Sequence, residues 1–358
     1  MKLLLTLIYL AAIMLLNITS VYSQDIRPIR DDVGYCWKGE KFDLFINWLD
    51  ENCPQEEFKK ENLVAAISPH DDYLYAGKVY YPLYKLIEAK EIVIFGVTHG
   101  TVRKELNDPK NILILDEFDK WNGPYGNVEI SPLREIIKQK LNKQDYIVSN
   151  LAQSIEHSIE GTIPFLQHYN RDIKITPVMV TGMPFEKMDS LSDELVEIIS
   201  NYIEENNLVL GKDIFFLISN DANHYGEDFD NQPYGMNEDA HKTATDNDKR
   251  IAAENFNGGV TKDKIKNLSG ELWPEAGMTQ SAAADYPLWC GRYPVVFGLL
   301  TINKIVTGSG RKLNGKLFKY SDTWTEGILP VKGTNMGITA PYSLRHWVGF
   351  LSAGFYME

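Results

Sequence analysis

The chain has 358 residues, is 44% hydrophobic and 24% charged, and carries a formal net charge of −13. That is the composition of an ordinary globular chain. The acidic balance argues against nucleic acid and anionic membrane surfaces as partners.

The chain opens "MKLLLTLIYLAAIMLLNITSVYSQ". One lysine precedes an apolar run from Leu3 to Leu16, and small or neutral residues follow. This reads as a signal peptide, residues 1–23, cleaved before Gln24. The run is short for a membrane span, so export, periplasmic or secreted, is expected, with no span after cleavage. Residues 24–358 then form a single domain of about 335 residues. Cys36 and Cys53 flank "WKGEKFDLFINWLDEN", which reads as a helix with its approach. With three cysteines in an exported chain, a Cys36–Cys53 disulfide is expected, and Cys290 is left as the free thiol.

Short apolar runs at 63–68, 91–97, 111–116, 173–180 and 213–219 read as buried strands. Helical patterns lie between them: "AGKVYYPLYKLIEA", "SPLREIIKQKLNK", "SIEGTIPFLQHY" and "SLSDELVEIISNYIEENN". The alternation predicts an α/β fold with a central mixed, largely parallel sheet covered by helices. "GKLFKYSDTW" and "HWVGFLSAGFYM" read as antiparallel strands added at an edge. In such folds ligands bind beyond the carboxyl ends of the strands.

Of seven histidines, His70, His99 and His224 each follow an inferred strand, and His157 lies in "SIEHSIEG". Imidazole is a common metal ligand, and strand ends gather distant residues at one edge. Taken singly, each residue has a plainer reading. A lone loop histidine is more often a surface or capping residue, as assumed for His168 and His241. Glu156 and Glu160 have the spacing of a solvated helix face. Asp71 and Asp72 suit a turn, and Cys290 suits a small core site. It is their coincidence at equivalent strand ends that favours a site.

"SPHDDYLYAG", "IFGVTHG", "EHSIEGTIPFL", "SNDANHYGEDF" and "CGRYPVVFGLL" occur in this order. Together they resemble the Memo family, whose fold is similar to that of the class III extradiol dioxygenases, non-haem iron enzymes. The resemblance implies that His70, His99 and Cys290 are metal ligands. It also implies that His224 is an acid/base, that Asp221 belongs to the same element, and that Glu156 and His157 line the cleft. The chain departs from the family pattern at Asp71-Asp72, Gly100, Asn220 and Tyr225, which makes the cleft more acidic.

Two imidazoles and an anionic ligand resemble a facial triad that leaves positions open. A thiolate is a softer anion than a carboxylate, and export disfavours ferrous iron. One metal ion is therefore expected, ranked copper, then iron, then zinc. The reading is of an exported metal-binding protein of redox or dioxygenase type, acting on a small-molecule or peptide ligand. Two alternatives stand beside it. "PHDD" partly echoes zinc-dependent deacetylases, and a fold can keep a cleft as a non-catalytic binding module.

Overall fold

The computed structural model describes residues 25–54, 58–273 and 287–358. The expected signal peptide lies outside them.

A 13-stranded mixed sheet organises the fold. Its centre runs Lys174–Val180, Glu91–Val97, Ile214–Ser219, Leu63–Ser68, with each neighbouring pair parallel. The last strand, His346–Met357, pairs antiparallel with Leu63–Ser68, and Leu313–Asp322 pairs antiparallel outside it. The two C-terminal strands thus extend the sheet as expected. The short strand Asp221–Gly226 also pairs with the last strand.

Alternation explains why the central strands read as continuous apolar runs. Ile214, Phe216 and Ile218 face one core, while Phe215 and Leu217 face the other. Val93 and Phe95 against Ile92 and Ile94 repeat the division. Helices Phe185–Glu205, Lys262–Leu272 and Arg292–Gly308 fill the first core. Helices Gly39–Asn52, Tyr73–Tyr84 and Ile163–Tyr169 fill the second. Among the described residues no helix is long and apolar enough to cross a membrane.

The Cys36–Cys53 disulfide is not present: all three cysteines are free. The reason is the helix between them. A helix of fourteen residues, Gly39–Asn52, lies between the two thiols and rises roughly 20 Å, whereas a disulfide needs Cα atoms about 4.4–6.8 Å apart. Cys36 is buried with its sulfur toward the Thr334 carbonyl, whereas Cys53 caps the far end of the helix.

Candidate metal centre

The carboxyl ends of the central strands open into a cavity of about 610 Å³. His70, His99, His157, Asp221, His224 and Cys290 all line it. Glu156 lies behind this surface and is buried.

Two overlapping groups of ligand atoms share His70. His70, His99 and His157 form one, and His70, Asp221 and Cys290 the other; within each, the donor atoms lie within 4.8 Å of one another. The three ligands expected from sequence are therefore divided between two sets; His157, expected only to line the cleft, joins one, and Asp221, expected only to share an element with His224, joins the other.

His70 emerges where Leu63–Ser68 ends. Its Nδ1 lies 2.7 Å from Ser219 Oγ, and that hydroxyl donates its own proton to the Ser158 carbonyl at 2.6 Å. Ser219 can then only accept from the ring, so His70 carries its proton on Nδ1 and keeps a lone pair on Nε2. Nε2 faces Cys290 Sγ and Asp221 Oδ2, each at 3.3 Å. Asp221 Oδ1 also accepts the His70 backbone N–H at 3.0 Å.

His99 is held in the same tautomer by a different partner. Its Nδ1 is 2.7 Å from Glu156 Oε1, and its backbone N–H donates to Glu156 Oε2 at 3.0 Å. Glu156 Oε1 also accepts from the backbone N–H groups of His157 and Ser158, each at 2.9 Å. This carboxylate is committed to positioning rather than chemistry. Gly96 permits the arrangement, because a Cβ there would collide with the Ile159 side chain. The absence of that atom lets the 156–159 loop close on strand Glu91–Val97. The reading of Glu156 and Glu160 as a solvated helix face fails for the same reason. Glu156 is spent on His99, and buried Glu160 pairs with Arg27.

Burial sets the protonation pattern. It holds His70 far below the ordinary histidine range, with the neighbouring His99 and His157 adding to the effect. His157 falls to about 4 through burial and then His99. Burial opposes the charge on His99, yet the Glu156 carboxylate prevails and leaves its pKa raised. Burial and then the Asp221 carboxylate push the Cys290 thiol well up. Asp221 itself rises to about 7, again through burial. The donor set thus joins the unprotonated imidazoles of His70 and His157 to His99, Asp221 and Cys290, whose protons are held more tightly than usual and would be displaced by a cation, which suits a metal ion.

His224 belongs to neither group. Its ring meets Phe229 edge-on at 4.8 Å, and its Nε2 is buried without a hydrogen-bond partner. Asp221 does not orient it. Residues Asp221–Gly226 form a bulged strand, not a turn, and the Asp221 carboxylate goes to His70. Burial, followed by His99, lowers His224 to about 3. The segment carrying Cys290 is tied to this strand: His224 N–H donates to the Leu288 carbonyl, and Leu288 N–H to Asn223 Oδ1, both at 3.0 Å.

Sequence reading missed several cavity residues: His346, Tyr35, Asp31, Thr339, Arg103 and Arg292. His346 had a readable signal. It opens a strand that runs antiparallel to Leu63–Ser68, so its start lands at the same edge as His70. The others sit on loops or helix ends, where no periodicity points to them.

The family model for Memo-like proteins matches residues 34–325. A MEMO1 family protein of Aquifex aeolicus is 32% identical over 180 residues, 49% of this chain and 60% of that protein. One from Saccharolobus islandicus is 32% identical over 177 residues, 48% of this chain and 56% of the relative. A third, from Methanosarcina barkeri, is 29% identical over 171 residues, 47% and 57% of the two chains. These alignments span between 56% and 60% of the relatives' own lengths.

Proposed function

The chain belongs to the Memo family, matched over residues 34–325, and from that premise we propose that its cleft binds one metal ion and works as a redox centre of dioxygenase type. The observation that carries the reading is the tautomer lock. Ser219 and Glu156 each take the Nδ1 proton of a histidine, which leaves the Nε2 atoms of His70 and His99 as lone-pair donors.

His70, His99 and Cys290 are the proposed ligands. Asp221 and His157, which share the two donor groups, complete the set. The bound metal supplies electron transfer or oxygen activation. The thiolate and imidazole donors rank copper first, iron second and zinc third. The protein's own residues do the rest. Ser219 and Glu156 aim the rings. Asp221 fixes the His70 backbone. His224, with an unpartnered Nε2 on the cavity wall, accepts a proton from a bound ligand. Export remains part of the proposal and rests on the leader-like first residues. N-terminal sequencing of protein from fractionated cells checks it.

The test is elemental analysis of protein purified without added metal, beside His70→Ala. About one equivalent of metal in the wild type and none in the variant is expected. Absence of metal from the wild type, with none taken up on titration, overturns the reading. Oxygen uptake with a catechol series then separates a redox enzyme from a site that only binds.

A further inference from the structure

Five of the seven histidines line the cavity. His70, His99 and His157 belong to the donor groups, and His224 is buried without a partner on Nε2. The fifth, His346, has a carboxylate of its own. Its Nδ1 lies 2.8 Å from Asp228 Oδ2. A carboxylate only accepts, so Nδ1 carries the proton and Nε2 keeps the lone pair. Glu156 fixes His99 in the same way, but among the described residues His346 joins neither group of converging donors. Its lone pair is not committed to an ion.

The pair bridges the cavity and the solvent. The His346 ring lines the cavity and its side chain is 13% exposed, whereas Asp228 is 68% exposed. The backbone keys the two together. Glu227 N–H donates to the Arg345 carbonyl at 3.1 Å, and a Cβ on Gly226, where φ is +126°, would collide with that oxygen. Only a glycine lets the turn that carries Asp228 lie this close to residues 345 and 346. Arg345 Nε donates to Glu227 Oε2 at 3.0 Å and repeats the link through side chains. Phe229 then lies between two imidazoles, its ring 4.8 Å from that of His224 and 4.6 Å from that of His346. The charged and titratable groups facing His346 are therefore Asp228, the Glu227–Arg345 pair and, across Phe229, His224. Glu227 is spent on Arg345, which leaves Asp228 to balance a positive charge on the ring. His346 lies beyond the family-matched residues 34–325, so the dyad is not part of the matched pattern.

We propose that His346, backed by Asp228, takes the proton that an acidic hydroxyl gives up as a ligand binds. The O–H bond breaks with its electron pair left on oxygen, and an N–H bond forms at His346 Nε2. Asp228 balances the imidazolium, and water at the exposed carboxylate carries the surplus proton away. His224, held uncharged by burial, is left for the proton moved in turnover. The inference rests on the cleft being the ligand site, and needs no metal.

The experiment is absorption titration of the metal-free full chain with 4-nitrophenol, whose anion absorbs at longer wavelength than the neutral phenol. It is run below the pKa of the free probe. At saturation the wild type should hold the probe as phenolate. His346→Gln keeps a hydrogen-bonding side chain but takes up no proton; it should lower the ionised-to-neutral ratio of the bound probe by about tenfold or more. Asp228→Asn leaves an acceptor for Nδ1 without the charge and should lower that ratio by about two- to fivefold, the scale of an exposed pair. Melting curves confirm that each variant is folded. A phenolate signal kept in His346→Gln, or lost as fully in His224→Gln, overturns the proposal. So does a wild type that holds the probe as neutral phenol or does not bind it. An unchanged ratio in Asp228→Asn overturns the part given to Asp228. Metal content does not enter the readout, so failure of the metal-centre reading would leave this result standing.

Discussion

His70 stands between Ser219 and Cys290, with Nδ1 2.7 Å from the serine hydroxyl and Nε2 3.3 Å from the sulfur. Because Ser219 donates to the Ser158 carbonyl, one hydroxyl decides which nitrogen of His70 is free. Ser219→Ala removes the acceptor and lets the proton sit on either nitrogen. Metal affinity should fall by about 10–100-fold, the usual cost of losing a group that orients a ligand. His70→Ala should abolish binding. Titration with the metal alone is the check, and an unchanged Ser219→Ala affinity would dismiss the tautomer lock.

Glu156 is the counterpart for His99, and every one of its acceptor bonds comes from a donor: the His99 ring, and the backbone N–H groups of His99, His157 and Ser158. In Glu156→Gln a side-chain NH₂ must face an N–H. The variant should lose roughly 1–3 kcal/mol of stability and about tenfold or more in metal affinity. Thermal melting and metal titration measure the two separately. Full stability together with full metal affinity would show that the buried charge does nothing for the site.

Much of this centre was legible because strand ends are legible. Leu63–Ser68 and Glu91–Val97 match the apolar runs, and the histidines just beyond them reach the cavity. What was not legible is which atoms meet. Asp221 stands three residues from His224, yet an extended, bulged strand keeps them apart, and the carboxylate reaches His70 across the sheet. Ser219, the residue that sets the His70 tautomer, sits in an apolar run like any buried serine. Only the neighbouring strand's register, Ser68 beside Ser219, places it under the ring.

The cysteines carry a separate expectation. A helix keeps Cys36 and Cys53 at its opposite ends, and all three thiols are free. Denatured, unreduced protein should therefore titrate as three thiols per chain. Its mass should be unchanged by reduction. A count of one thiol, with a two-dalton gain on reduction, would mean that the first helix has been placed wrongly.

Asp248 braces the Cys290 segment from behind. It accepts from Trp289 Nε1 and Tyr320 Oη, each at 2.8 Å, and from Asn223 N–H at 3.2 Å. Burial lifts its pKa to about 7. A carboxyl whose folded pKa is raised contributes stability fully below its unfolded value, near 3.9, and loses that contribution as pH rises through the folded value. The melting temperature of the wild type, taken relative to Asp248→Asn, should thus be most favourable near pH 4. It should decline by roughly 3 °C or more by pH 8. A difference that stays flat across that range would show that Asp248 titrates normally.

Among the described residues, His224 has the one cavity-wall histidine nitrogen that is buried and unpartnered, and its ring is fixed edge-on to Phe229 at 4.8 Å. It is absent from both groups of converging donors. Burial holds it at about 3, so at neutral pH it is uncharged, and taking up a proton in turnover requires a bound ligand to raise its basicity. Nothing in its surroundings supplies the carboxylate that would raise its basicity, since Asp221 is engaged with His70. A bound ligand's hydroxyl is then the natural donor. His224→Ala should leave metal content within about twofold and lower turnover by on the order of 10²-fold. His224→Gln retains a hydrogen-bonding side chain but cannot take up a proton; it should keep ligand affinity while matching the alanine variant in kcat. Metal loss equal to that of His70→Ala would make His224 a ligand. Turnover at the wild-type level with full metal would reduce it to a packing residue beside Phe229.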